Sequence, residues 1–177
     1  MRALAAALLL LVTLAACGGE DRCPTSADGV LECAADQRSD PVQVAGELLA
    51  GGQYDVTADR GTVVVVNFWG SWCAPCRSEA DDLEASYQAT KGKGATFLGV
   101  NVRDGRDAAK AFEEGRVSYP SLYDPPGKVA LDFDVPPNAI PATIVLDREG
   151  RIAAVIRRAV TQKELIPLVE RIAAEKL

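Results

Sequence analysis

Histidine is absent from all 177 residues of the chain. No imidazole is present to activate a serine or a cysteine or to hold a metal, so acid–base work falls to carboxylates, lysines, tyrosines or water. Basic clusters are missing too. The 19 Lys and Arg are outnumbered by 25 Asp and Glu, for a formal charge of −6, and nothing in their spacing suggests nucleic acid as a partner. The apolar stretch at the start of the chain is too short to span a bilayer. The length suits one globular domain of ordinary core size plus a tail.

The chain does have five cysteines. The first, Cys17, ends a targeting segment made of Arg2, the apolar stretch Ala3 to Thr13 and Leu14-Ala15-Ala16-Cys17. That ending resembles a bacterial lipobox, which implies a signal peptide over 1–16, cleavage before Cys17 and a lipid on its thiol. The alternative is an ordinary secretory signal with an incidental cysteine. Loss of Arg2 takes the charge from −6 to −7, so the exported chain is acidic in either case. Residues 17–41, rich in Gly, Asp, Ser and Glu, read as a lipid-anchored flexible tether, with a domain over 42–177.

The most informative stretch runs from Val63 to Arg77. Four valines followed by Asn67-Phe68-Trp69 read as a strand buried on both faces, which favours a parallel sheet covered by helices. Beyond Gly70, Ala80, Leu83 and Tyr87 recur at helical spacing, so Cys73 and Cys76 fall on the first turn of a helix. Free amides and the positive end of the helix dipole favour a thiolate there. Cys73 reads as the outermost, attacking thiol and Cys76, one turn further in and less exposed, as the one that releases product. A structural disulfide or half of a zinc site are the alternatives; zinc would need two further ligands.

Asn67-Phe68-Trp69-Gly70-Ser71-Trp72-Cys73-Ala74-Pro75-Cys76-Arg77-Ser78-Glu79 resembles the signature of the TlpA-like, cytochrome c-maturation branch of the thioredoxin superfamily, and the similarity extends over about residues 45–177. The resemblance implies an α/β, thioredoxin-like fold: a central mixed β-sheet flanked by helices, with a helix–strand insertion. It implies a thiol-disulfide oxidoreductase with no cofactor beyond the Cys73–Cys76 pair and no metal. Asn67 stands where thioredoxin carries a buried acid, and Glu79, one turn past Cys76, is the candidate proton acceptor in its place. A solvated helix glutamate is the plainer reading of Glu79. Trp72 is expected beside the disulfide as an apolar contact for partners. Pro141 is expected to be cis and to face the disulfide, leaving the Ile140 backbone for an extended partner segment; the plainer reading is a strand boundary. Two positions depart from the family pattern: Asp81 replaces a usual proline, and Ala139 a usual glycine.

The remaining cysteines, Cys23 and Cys33, flank a turn at Asp28-Gly29. If Cys17 is acylated and Cys73 pairs with Cys76, a local structural disulfide is the simplest assignment for them in an oxidising compartment. A second redox pair is the alternative, although no nearby helix start would activate it.

Elsewhere, a small hairpin is expected within 42–61, a strand over 95–102, a short helix opened by Asp104-Gly105-Arg106-Asp107 and ending near Gly115, and a strand over 118–124. Asp147 to Gly150 reads as a hairpin turn. Thr161 and Glu164 form a capping-box pattern for a last helix, which Pro167 should bend or delay. The expected function is reduction of disulfides in exported proteins such as apocytochrome c, by a lipid-anchored monomer on the extracytoplasmic face of a bacterial membrane, recharged by a membrane thiol-disulfide carrier. The alternatives are an oxidant of exported proteins and a non-catalytic lipoprotein. With no histidine between the cysteines to stabilise the thiolate, a strong oxidant of the DsbA type is disfavoured.

Overall fold

The computed structural model describes residues 23–133, 135–136 and 138–176. Cys17 and the segment 1–16 lie outside the described residues.

The core is a six-stranded mixed sheet in the order β1-β8-β7-β4-β5-β6. Its central strand β4 (Val63–Trp69) is buried along its whole length. It pairs in parallel with β5 (Ala95–Val102), and β5 in parallel with β6 (Ser121–Asp124). On the other side it pairs antiparallel with β7 (Ala142–Leu146), and β7 with β8 (Ile152–Ile156). The expected hairpin before the main strand is present as β2 (Ala45–Glu47) and β3 (Gln53–Asp55). This mixed sheet with flanking helices is a thioredoxin-like α/β fold.

Burial on both faces of β4 follows from the helices above and below it. Val63 and Val65 point to α1 (Ala74–Thr90) and α4 (Gln162–Ala173), meeting Leu83, Leu165, Val169 and Ile172. Val64, Val66 and Phe68 point the other way, to α3 (Lys128–Asp132) and the β2–β3 hairpin, meeting Ala130, Phe133, Val44 and Val56. Each fully buried valine contributes about 1.5–3 kcal/mol, so this one strand ties both layers together. At its carboxyl end a third cluster joins Trp69, Cys73, Cys76, Ala80 and Leu49 to Ala109 and Phe112 of α2 (Arg106–Glu113). The helix α2 and strand β6 form the expected insertion.

Two expectations are corrected. The stretch read as a flexible tether contains β1 (Val30–Glu32), which pairs antiparallel with β8 at the sheet edge. Cys23 and Cys33 are disulfide-bonded around it. Arg38, its side chain almost wholly buried, donates to Asp147 Oδ2 at 3.1 Å and to both Glu175 carboxylate oxygens at 2.6 and 2.7 Å. A three-residue strand is too short to show a period of two, and its register comes from the partner strand. Nor does the capping box form. Thr161 makes no side-chain cap, Glu164 pairs with Arg158 instead, and Asp82 Oδ1 receives the Gln162 amide at 3.1 Å. The helix starts at Gln162 and carries Pro167 inside it, so the proline does not delay its start.

Candidate active site

At the carboxyl end of β4 the chain turns at Gly70 and enters α1. A Cβ at Gly70 would lie 2.7 Å from Trp72 Nε1, so glycine is needed for the Trp72 ring to fold back there. Cys73 is the N-cap of α1, with extended backbone. Pro75 sits in the first turn, where its missing N–H leaves no helical bond unmade.

Cys73 and Cys76 form a disulfide. The Cys76 amide donates to Cys73 Sγ at 3.2 Å, and Cys73 Sγ lies 3.8 Å from the Ile140 carbonyl oxygen. Both observations bear on reactivity: the sulfur that would become a thiolate already sits on a helix N-terminal amide. Both sulfurs lie within the surface, in the expected order. Cys73 is 4% and Cys76 2% exposed, whereas Trp72 is 50% exposed. As the N-cap, Cys73 turns its sulfur toward the helix amides and Ile140, and away from solvent. The Ile140–Pro141 peptide is cis. Ile140 is half-buried and packs against two of the apolar clusters.

Glu79 is not a solvated helix residue. It is 1% exposed. Asn67 Nδ2 donates to its Oε1 at 2.9 Å and the Val160 amide to its Oε2 at 2.9 Å, while Asn67 also donates to Thr143 Oγ1 at 3.1 Å. Burial pushes the carboxyl up to about 7, against the pull of the Val160 and Asn67 donors. A group at that value is poised to exchange protons near neutral pH.

Asp104 was not anticipated from sequence. Its carboxylate accepts from the Ser71 amide at 2.6 Å, the Ser71 hydroxyl at 2.9 Å and Asn101 Nδ2 at 3.0 Å. It thereby clamps the loop that carries Trp72 and Cys73 to the end of β5. The preceding residue, Arg103, has a left-handed φ of 51°, which turns Asp104 back toward Ser71. Positive φ outside glycine is uncommon, and nothing in the residue type announces it.

Deeper in, Trp69 Nε1 donates to Ser121 Oγ at 3.2 Å. The gap for this bond exists because Gly99 lies beside it: a Cβ there would lie 2.0 Å from Ser121 Oγ and 2.8 Å from Trp69 Nε1. Among the described residues no group of three or more His, Cys, Asp or Glu is placed to hold a metal.

Comparison with known proteins agrees with this geometry. Residues 41–155 match the AhpC/TSA family. The "Thiol:disulfide interchange protein DsbE homolog" of Paracoccus denitrificans is 34% identical over 141 residues, covering 73% of this chain and 74% of that protein. The "Thiol-disulfide oxidoreductase ResA" of Geobacillus kaustophilus is 29% identical over 118 residues, covering 66% and 67%. Among solved structures, a secreted thiol-disulfide isomerase from Corynebacterium glutamicum superposes with a TM-score of 0.79 at 39% identity, over 85% of this chain and 96% of that one. With its Cys73–Cys76 pair at the start of α1, this chain belongs to the AhpC/TSA family of thioredoxin-fold proteins, as one of its TlpA-like thiol-disulfide oxidoreductases.

Proposed function

We propose that the protein is a membrane-tethered, extracytoplasmic reductant of disulfides in exported proteins such as apocytochrome c. In this reading residues 1–16 are a signal peptide, Cys17 carries the lipid, and the domain is held near the membrane face by the short segment that follows. The observation that carries the chemistry is the contact of the Cys76 amide with Cys73 Sγ at 3.2 Å, which stabilises a Cys73 thiolate in the reduced state.

The Cys73 thiolate attacks one sulfur of the partner's disulfide, forming a mixed disulfide and releasing the partner's other sulfur as a thiolate. Cys76 loses its proton and attacks Cys73. The Cys73–Cys76 bond forms, the bond to the partner breaks, and the partner leaves reduced by two electrons. A membrane dithiol carrier then returns two electrons to the pair. Glu79 exchanges the proton that Cys76 gives up. Partner recognition is assigned to the exposed Trp72, to Ile140, whose carbonyl lies beside Cys73, and to Pro141, which fixes that strand against the disulfide. An extended segment laid along Ile140 would make main-chain contacts with little sequence demand. Cys23–Cys33 is assigned a structural role, closing the loop that carries β1.

The test is a Cys76→Ser variant of the full chain expressed in a bacterial envelope. The expected result is a mixed disulfide on Cys73 with exported c-type apocytochromes in the membrane fraction. Capture of exported proteins without haem-binding motifs would reassign the substrate, and failure to form any mixed disulfide would remove Cys73 as attacker.

A further inference from the structure

A small cavity of about 10 Å³ lies behind the active-site pair, between α1, α2 and the sheet. Its walls include Cys76 and Asn67 on one side and Trp69, Phe112, Glu113 and Ser121 on the other. That volume is about one water molecule's worth, and the wall is polar enough to hold one. Glu113, the last residue of α2, is half-buried, yet its Oε1 is sealed from solvent and has no hydrogen-bond partner among the described residues. A buried carboxylate oxygen left without a donor is costly, and here it belongs to a residue that shares a cavity wall with a redox cysteine. Glu79 differs in this respect, because both of its oxygens already accept from fixed donors.

We propose that one water in this cavity joins Glu113 to Cys76, so that Glu113 takes up the Cys76 proton as Cys76 attacks the mixed disulfide on Cys73. The proposal rests on the reading that Cys73 attacks and Cys76 resolves. On this route, parallel to the one through Glu79, the Cys76 S–H bond breaks in the resolving step and its proton passes through the water to the Glu113 carboxylate. The Cys73–Cys76 bond forms, and the partner's sulfur departs as a thiolate. When the disulfide is opened again, Glu113 returns the proton to Cys76. Glu113 is thus a positioning residue that acts through water, a second carboxyl alongside Glu79.

The surroundings favour such a role. Burial raises the Glu113 carboxyl above its ordinary value, with the Ser121 hydroxyl pulling the other way. The polar and aromatic groups of other elements that share its cavity wall are Cys76 on α1, Asn67 and Trp69 on β4, Tyr119 just before β6 and Ser121 at its start. The Tyr119 hydroxyl is itself raised by burial first and by Glu79, Glu84 and Glu113 next. The cations at this end of α2 include Lys110 in its last turn, and Arg77 and Arg116, stacked over the Phe112 ring at 5.6 and 5.0 Å.

The experiment reads the resolving step directly. The reduced full chain is mixed with dithiobis(nitrobenzoate), quenched in acid at successive times and cut with trypsin. The peptide 61–77 contains only the two active-site cysteines, so its change from adduct to internal disulfide gives the resolution rate at each pH. Glu113→Gln is expected to slow resolution about tenfold at neutral pH, less than the ~10²-fold low end for loss of a sole proton acceptor because Glu79 remains, and to displace the pH at which the rate breaks. Glu113→Asp should restore the break, and Glu114→Gln, an exposed neighbour, should leave rate and break unchanged. A Glu113→Gln profile that overlays the unmodified chain overturns the proposal. So does a slower rate with an unmoved break, which would signal packing alone. Should Glu113→Gln fail to fold, the test passes to Glu113→Ser, which also lacks the carboxyl: a break displaced from that of the unmodified chain supports the proposal, and an unmoved break overturns it. Absence of any adduct on Cys73 in Cys76→Ser would instead defeat the underlying order of attack.

Discussion

Asn67 Nδ2 donates to Glu79 Oε1 at 2.9 Å, joining the central strand to the active-site helix one turn past Cys76. Strand and helix thereby share one buried carboxyl, and the proton on that carboxyl reports on both stability and redox chemistry.

Stability should fall as pH rises through that group's range. Burial holds the folded carboxyl at about 7 against an ordinary 4.5. Between those values the folded chain keeps a proton that the unfolded chain has lost, so each step up in pH favours unfolding, and above about 7 the loss is complete. The total is on the order of 3 kcal/mol. Glu79→Gln removes the titration, and urea melts of the oxidised variant from pH 4 to 8 should lack the slope seen in the unmodified chain. Parallel slopes would show that Glu79 does not carry it.

The Asp104 clamp predicts a separation of activity from stability. Asp104→Ala frees the Ser71 amide and hydroxyl, both partly exposed and able to find water, and leaves the buried Asn101 Nδ2 without its acceptor, so the stability loss should be about 1–3 kcal/mol. The loop bearing Trp72 and Cys73 would then lose its fixed position. Insulin reduction driven by dithiothreitol should slow several-fold, and the Cys73 thiol should titrate closer to a free cysteine.

Replacing both Cys23 and Cys33 with alanine tests their structural assignment. Closing a loop with a sequence separation of 10 stabilises by about 2–3 kcal/mol in the chain-entropy account. The melting midpoint should drop accordingly while insulin reduction by the folded variant is retained. Loss of turnover at full stability would favour the second-redox-pair reading.

Gly99→Ala should be among the most damaging small substitutions. Its Cβ would meet Ser121 Oγ and Trp69 Nε1 at 2.0 and 2.8 Å, the two atoms of the buried hydrogen bond between β4 and β6, and overpacking of this kind costs about 1–3 kcal/mol. Coupling with Ser121→Ala measures the cause: the double variant should recover part of the loss.

The direction of electron flow is settled by potential. A reductant should equilibrate with glutathione buffers well below the value of about −120 mV typical of a DsbA-type oxidant. A potential near that value would make the protein an oxidant of exported chains.

Much of this architecture is written locally. The valine run of β4, the helical spacing after Gly70 and the turn at Asp147 to Gly150 each declare their element because the signal lies within a few consecutive residues. The same holds for the redox pair, since two cysteines three apart at a helix start are close in any fold that forms the helix. Thr161 and Glu164 show the limit of such reasoning. The local pattern is a capping box, but Arg158 offers Glu164 a charged partner and Asp82 of another helix takes the Gln162 amide.

What the sequence by itself determined is the strand, the helix start and the chemistry of two sulfurs on it, because backbone periodicity and side-chain type suffice for each. The tertiary structure alone decided which carboxylates reach that chemistry. Glu79 is charged and polar by type but is sealed beneath Asn67 and Val160. Asp104 lies 33 residues from Ser71 and yet clamps it. Glu113 meets Cys76 only across a cavity enclosed by packed elements. Burial and partnership are properties of surfaces brought together from distant parts of the chain, and no local pattern encodes them.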